Sequence, residues 1–278
     1  MGPGRAMAVL VLACWLAMPT MAADSAQPVA SPSQPQALRV CADPDNLPYS
    51  KDDGSGFENR IAQLLADDLK LPLQYDWLPD RRGFVRKTLG ARLCDVIIGV
   101  PAGFERTVNT QPYYRSSYVF VERADATPPV RSFDDPRLAH MRLGVQLIGN
   151  DLAASPPGYA LARHGYISNV RGYPVPGEQP AAARMIAAVA RGELDGAWVW
   201  GPQAGYFAAH ASVPMRVAVL PAPPEAAGLP FEYSIAMGVR RGEPQWRERL
   251  NDFIRRRQGD IDRILAQYDV PRVPGVQP

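Results

Sequence analysis

Histidine and cysteine are scarce in this chain, with three of each. His140, His164 and His210 have no metal-like spacing to one another or to the cysteines, which argues against a metal site. No acidic cluster of the kind a hard cation wants is evident either, and no cofactor is expected. No serine lies in a nucleophile elbow and no glycine-rich phosphate loop is present, so two common catalytic signatures are missing. Net charge is only +2, and no block of like charge is longer than Arg255 to Arg257, so a nucleic-acid partner is not indicated. Past the N-terminus no segment has the length and apolarity of a membrane span, and no internal repeat is visible.

What is present suits a globular protein. Apolar residues make up 46% of 278, enough for two modest domains with real cores, and 29 prolines imply many defined turns. The N-terminus reads as an export signal over 1–23: Arg5 gives a weakly positive start, Ala6 to Leu16 is too short to span a membrane, and small residues follow to Ala23. Cys14 distantly resembles a lipid-anchor position, but the apolar run before it is very short, so plain cleavage is favoured. Residues 24–37, rich in Pro, Ser, Ala and Gln, read as a flexible tether. Removing the leader leaves Cys41 and Cys94, both in expected strands, as either a disulfide or two buried thiols.

Hydrophobic patterning gives an α/β order. Strands are expected at Leu38 to Ala42 and Leu73 to Trp77, with an amphipathic helix between them opening at Gly56-Phe57-Glu58. A second helix, Phe84 to Leu93, leads into a buried strand at Val96 to Val100. Ser117 to Glu122 is extended, and a new series starts at Arg142 to Gln146. It continues with a helix opened by Ser155-Pro156-Pro157, a strand within Asn169 to Val175, the helix Ala181 to Arg191 and the strand Leu194 to Val199. Arg216 to Leu220 and Glu232 to Val239 are extended, and Gln245 to Gln267 is a helical tail interrupted near Gly259.

The organising stretch is Cys94 to Tyr114. Its strand breaks at Pro101 and Gly103 into a loop bearing Glu105 and Arg106. Ligands of open α/β sheets sit outside the carboxyl ends of strands, where a guanidinium fork fits a carboxylate. Taken alone, Arg106 more simply pairs with Glu105 or solvent.

Nine strings in order resemble those of periplasmic solute-binding proteins of the polar amino-acid type, family 3. Among them are Asp43-Pro44, Gly56-Phe57-Glu58, Cys94-Asp95-Val96-Ile97, Glu105-Arg106, Pro112-Tyr113-Tyr114 and Gly192-Glu193-Leu194-Asp195. Arg81-Arg82-Gly83-Phe84, Gly99-Val100-Pro101-Ala102-Gly103-Phe104 and Trp200-Gly201-Pro202-Gln203 resemble the MxaJ/XoxJ-like subgroup associated with quinoprotein dehydrogenases. The resemblance implies a type II two-lobe α/β fold, each lobe a mixed, mainly parallel sheet flanked by helices, joined by a two-strand hinge. It places lobe one at 38–121 and 233–270, lobe two at 124–227 and a tail at 271–278.

The resemblance also implies a ligand cleft at Asp43, Asn46, Arg81, Arg82, Pro101, Arg106, Asn150, Asp151 and Trp200. Amino-acid receptors of this type grip the ligand carboxylate with the loop arginine, here Arg106, and a hydroxyl residue whose position is Pro101. The acid that holds the ammonium is replaced by Trp200, and the stacking aromatic by Asn46. A buried ammonium without a partner costs several kcal/mol, so ordinary amino-acid binding is not expected. Trp198, Trp200 and Tyr206 either plug the cleft or stack on a ligand.

The implied role is a non-catalytic, monomeric periplasmic partner of a PQQ-dependent methanol or alcohol dehydrogenase. A transport receptor for a small anionic or polar solute is the alternative. A prephenate- or arogenate-type dehydratase using Asp151 or Glu232 is a third.

Overall fold

The computed structural model describes residues 1, 2, 4, 36–148, 153–175, 179–223, 226 and 228–274. The chain divides into two compact units, Met1–Gln34 and Pro35–Pro278, and the fold is that of the second. Nearly all of the expected export leader and tether therefore lies outside the described residues, as do Asn150 and Asp151.

The elements run β1 (Leu38–Ala42), β2 (Asp45–Asn46), β3 (Ser50–Lys51), α1 (Phe57–Leu69), β4 (Leu73–Trp77), α2 (Phe84–Lys87), β5 (Ile97–Pro101), β6 (Val108–Asn109) and β7 (Tyr114–Arg123). Next come β8 (Leu143–Ile148), β9 (Ala153–Ala154), α3 (Pro156–Arg163), β10 (Val170–Pro174), α4 (Ala181–Ala190), β11 (Gly196–Trp200), α5 (Gly201–Ala209), β12 (Met215–Ala218), β13 (Glu232–Val239) and α6 (Pro244–Gln267).

β1 and β4 pair in parallel, and β1 reaches the start of β5 through a parallel bridge between Val40 and Val96. β5 continues antiparallel to β13, and β13 to the first half of β7. The second half of β7 pairs antiparallel with β11 and β12, while β10, β8 and β11 run parallel. One ten-residue strand thus belongs to both sheets.

Strand alternation divides its side chains: Val119 and Val121 enter one core with Met185, Val189 and Val199, and Phe120 enters another with Phe133, Leu143 and Trp198. The core on the other side of the hinge packs Phe57, Ile61 and Leu65 of α1 and Leu250, Phe253 and Ile261 of α6 against Val40, Val96 and Ile98. Truncating a side chain such as Phe57, which is fully buried, costs about 3–5 kcal/mol.

Cys41 and Cys94 form a disulfide, with Cα atoms 5.4 Å apart. Cys94 stands just before β5 rather than inside it, and the Cys41 N–H donates to the Val96 carbonyl at 2.9 Å, so strand pairing already brings the two residues together. Beside it, Asp95 accepts from Arg39 at 2.6 Å and Arg240 at 3.0 Å, tying β1, the entry to β5 and the exit of β13.

Three expectations shift, and one helix is additional. α2 stops at Lys87 instead of reaching Leu93, because the Thr88 hydroxyl caps the Phe84 carbonyl at 2.8 Å and the chain then turns, with Arg92 in the left-handed region. α6 runs unbroken through Gly259, whose solvent-facing site demands nothing, since the buried stripe on either side holds the helix. α5 forms from Gly201, a stretch to which the sequence assigned no element. Proline suits a first helical turn, and a Cβ at Gly205 would meet the Asp269 carbonyl oxygen at 1.8 Å, so that glycine serves close packing. β7 begins at Tyr114, three residues earlier than expected, drawn out by pairing with β13.

The disulfide closes a loop with a sequence separation of 53. Replacing both cysteines by serine is expected to lower stability by about 4 kcal/mol in denaturant unfolding. A loss under about 1 kcal/mol contradicts its structural role.

Candidate functional site

The carboxyl ends of β1, β4 and β5 face the middle of β7, and a cavity of about 300 Å³ lies there. Asp43 follows β1, Glu58 stands in the first turn of α1, and Asp80 follows β4. All three line the cavity, with Tyr49, Phe84, Tyr114, Tyr118, Trp200 and Tyr233 supplying rings. Tyr114 and Tyr118, four residues apart in β7, share one face of that strand. Tyr118 meets Trp200 edge-on at 5.4 Å between centroids, and Trp200 meets Tyr233 at 5.5 Å.

Asp43 fixes the mouth. Its Oδ2 accepts from the Asp80 N–H at 2.6 Å and its Oδ1 from the Asp45 N–H at 2.9 Å, while its carbonyl accepts from Ser50 Oγ at 2.8 Å. Glu58 lies against Gly99, where a Cβ would come within 2.0 Å of Oε1, so only glycine leaves room for the carboxyl. Burial, and then the nearby Asp80 charge, push the Glu58 pKa up to about 8. Asp80 retains exposed surface, yet burial of its carboxyl and the Asp43 charge also raise it.

Of the nine expected cleft residues, Asp43, Asn46, Pro101 and Trp200 line this cavity. Arg81 and Arg82 are exposed in the loop after β4 and do not line it. Arg106 lies in a separate hollow with Val85, Arg86, Arg240 and Arg241. Asn150 and Asp151 fall outside the described residues. Trp200 walls the cavity without filling it, and Trp198 is buried core. Glu232, weighed as an acid, pairs with Arg115 of the neighbouring hinge strand at 2.5 Å.

Sequence reasoning gave no role to Glu58, Asp80, Tyr49, Tyr114, Tyr118 or Tyr233. A signal existed for Glu58: it precedes Ala62 and Leu65 by four and seven residues, on the apolar stripe of α1, where an unpaired carboxyl is out of place. Among the described residues no group of three His, Cys, Asp or Glu is arranged to hold a metal ion.

The architecture is a type II periplasmic-binding-protein fold, two lobes of mixed sheet and flanking helices joined by β7 and β13. No protein-family model matches the chain. It is 32% identical over 263 residues to Protein MoxJ of Methylorubrum extorquens, covering 91% of this chain and 85% of that protein. It is 31% identical over 251 residues to Protein MoxJ of Paracoccus denitrificans, covering 85% and 89%. The crystal structure of the periplasmic binding protein XoxJ from Methylobacterium extorquens AM1 matches with a TM-score of 0.71 and 38% identity, over 86% of this chain and 100% of that one. The chain belongs to the MoxJ family, whose members include proteins named MxaJ and XoxJ.

Because the Glu58 pKa is raised in the folded state, the native protein holds a proton that the unfolded chain releases near 4.5. The stability this contributes is complete below about pH 4.5 and is lost as pH rises through about 8. Glu58→Gln is expected to flatten the decline of the urea midpoint between about pH 5 and about pH 9, and an unchanged decline contradicts the assignment.

Proposed function

We propose that the chain is a non-catalytic periplasmic accessory factor of a PQQ-dependent methanol or alcohol dehydrogenase, acting in its maturation, activation or assembly. Membership of the MoxJ family supports the link to that system. The XoxJ relative is described as a periplasmic binding protein, which supports the same compartment here. No helix among the described residues is long and apolar enough to cross a membrane. We take lobe one as 38–121 with 233–270 and lobe two as 124–227.

The observation that carries the reading is the lining of the cavity. Among the described lining residues there is no Lys or Arg to receive a ligand carboxylate. Pro101 has neither hydroxyl nor N–H at the supporting position. Trp200 occupies the end of β11, where amino-acid receptors carry an acid. A free amino acid entering here leaves its carboxylate desolvated and unpaired, at a cost that removes micromolar affinity. The persistence of the cavity favours a second reading, a receptor that closes on a small solute through the hinge.

Tagged protein expressed in its own host is expected to retain the quinoprotein dehydrogenase from periplasm, and deletion of its gene to lower dehydrogenase activity there. Common amino acids at millimolar concentration are expected to leave its melting temperature unchanged. A rise with any of them, together with no captured dehydrogenase, assigns the chain to amino-acid transport instead.

A further inference from the structure

The cavity gathers charge of one sign. Asp43, Glu58 and Asp80 come from three separate segments, and the described lining residues include no Lys, Arg or His to oppose them. Like charges held together in a partly dry site repel, and the raised Glu58 and Asp80 carboxyls show that repulsion added to burial. Among the described lining residues no cationic side chain relieves it, and a cation entering the cavity displaces the proton that Glu58 otherwise holds. Tyr114 is only 3% exposed and lines the same space, yet its hydroxyl has no hydrogen-bond partner among the described residues. A hydroxyl that opens onto a cavity from an otherwise buried ring marks a place for a ligand atom or a water.

The rest of the lining narrows the ligand class. Tyr118, Trp200 and Tyr233 form a continuous edge-to-face series along one wall, and tryptophan and tyrosine faces attract cations. The carboxyls do not converge as metal ligands do, since no three acidic, histidine or cysteine side chains among the described residues are arranged to hold one ion. Their spread suits a larger, weakly hydrated cation. A ligand carboxylate has no guanidinium or ammonium among these lining residues, so a zwitterion fits worse than a simple cation.

We propose that this cavity is a binding site for a small organic cation of the alkylammonium or quaternary ammonium class, held electrostatically by Asp43, Glu58 and Asp80 and walled by Tyr118, Trp200 and Tyr233. The proposal rests on the reading that the amino-acid grips are gone. It does not depend on docking to a dehydrogenase.

The test is titration calorimetry of the purified mature chain with choline, tetramethylammonium and ethylammonium chlorides, against sodium chloride and against 3,3-dimethylbutan-1-ol, the uncharged isostere of choline. At least one organic cation is expected to bind, and choline at least about tenfold more tightly than its isostere. Glu58→Gln and Trp200→Leu are each expected to weaken that binding at least about tenfold. Asp80→Asn, in an exposed loop, is expected to weaken it without altering the circular dichroism spectrum, and Arg106→Ala to leave it unchanged. Absence of binding by all three cations at millimolar concentration overturns the proposal, as does equal binding of the alcohol or undiminished binding by Asp80→Asn and Glu58→Gln. Alanine in the same calorimeter separates the two claims: alanine binding defeats the reading beneath, whereas silence from both alanine and the cations defeats this proposal alone.

Discussion

Everything in this molecule turns on β7, a single strand whose two halves are hydrogen-bonded into different sheets. Its first half is hydrogen-bonded to β13, and its second half lies between β11 and β12. The changeover falls between Ser117 and Tyr118, and there the Tyr118 N–H donates to the Phe231 carbonyl at 2.8 Å. The same alternation that sends Phe120 and Val121 to separate cores points Tyr114 and Tyr118 at the cavity. Core and site are therefore two consequences of one strand register: slipping it by one residue puts Arg115 and Val119, or Tyr113 and Ser117, where Tyr114 and Tyr118 stand at the cavity wall.

Around that strand the first lobe supplies charge and both hinge strands supply rings. The disulfide and the Arg39, Asp95 and Arg240 network hold β1 against β5, which fixes where the loops after those strands open. Asp43 then bridges two of the loops by accepting from Asp45 and Asp80 N–H groups. Backbone hydrogen bonds fix the Asp43 carboxylate, and the fit against Gly99 confines the Glu58 carboxyl, so these acidic side chains stay close to the Asp80 segment. Their mutual repulsion is thus a property of the scaffold, and a cation is the natural counterweight.

Much of the fold was legible because its periodicities are strong. β1, β4 and β13 match the expected ranges from Leu38, Leu73 and Glu232. α5 was not legible, because Gly201, Pro202 and Gly205 read locally as breakers and their compatibility with a helix depends on packing against Ser116 and Asp269, distant in sequence. The site was legible only in part. Strand-end positions such as Asp43, Pro101 and Trp200 were implied by the family resemblance and line the cavity, whereas Arg106 departs because the loop after β5 turns toward Arg86 and Arg241. Glu58 and the tyrosines were hidden for a different reason: each belongs to a string that also has a core role, and periodicity alone does not separate a core wall from a cavity wall.

The central claim is that the cleft has exchanged the grips of an amino-acid receptor for an acidic, aromatic lining. A crystal structure of the protein purified gently from its own periplasm tests it most directly. Density in the cavity is expected to be either solvent or a molecule without a carboxylate, lying against Trp200, Glu58 and Asp80, with Arg106 remaining in its separate hollow. An α-amino acid whose carboxylate is held by Arg106 would contradict the account.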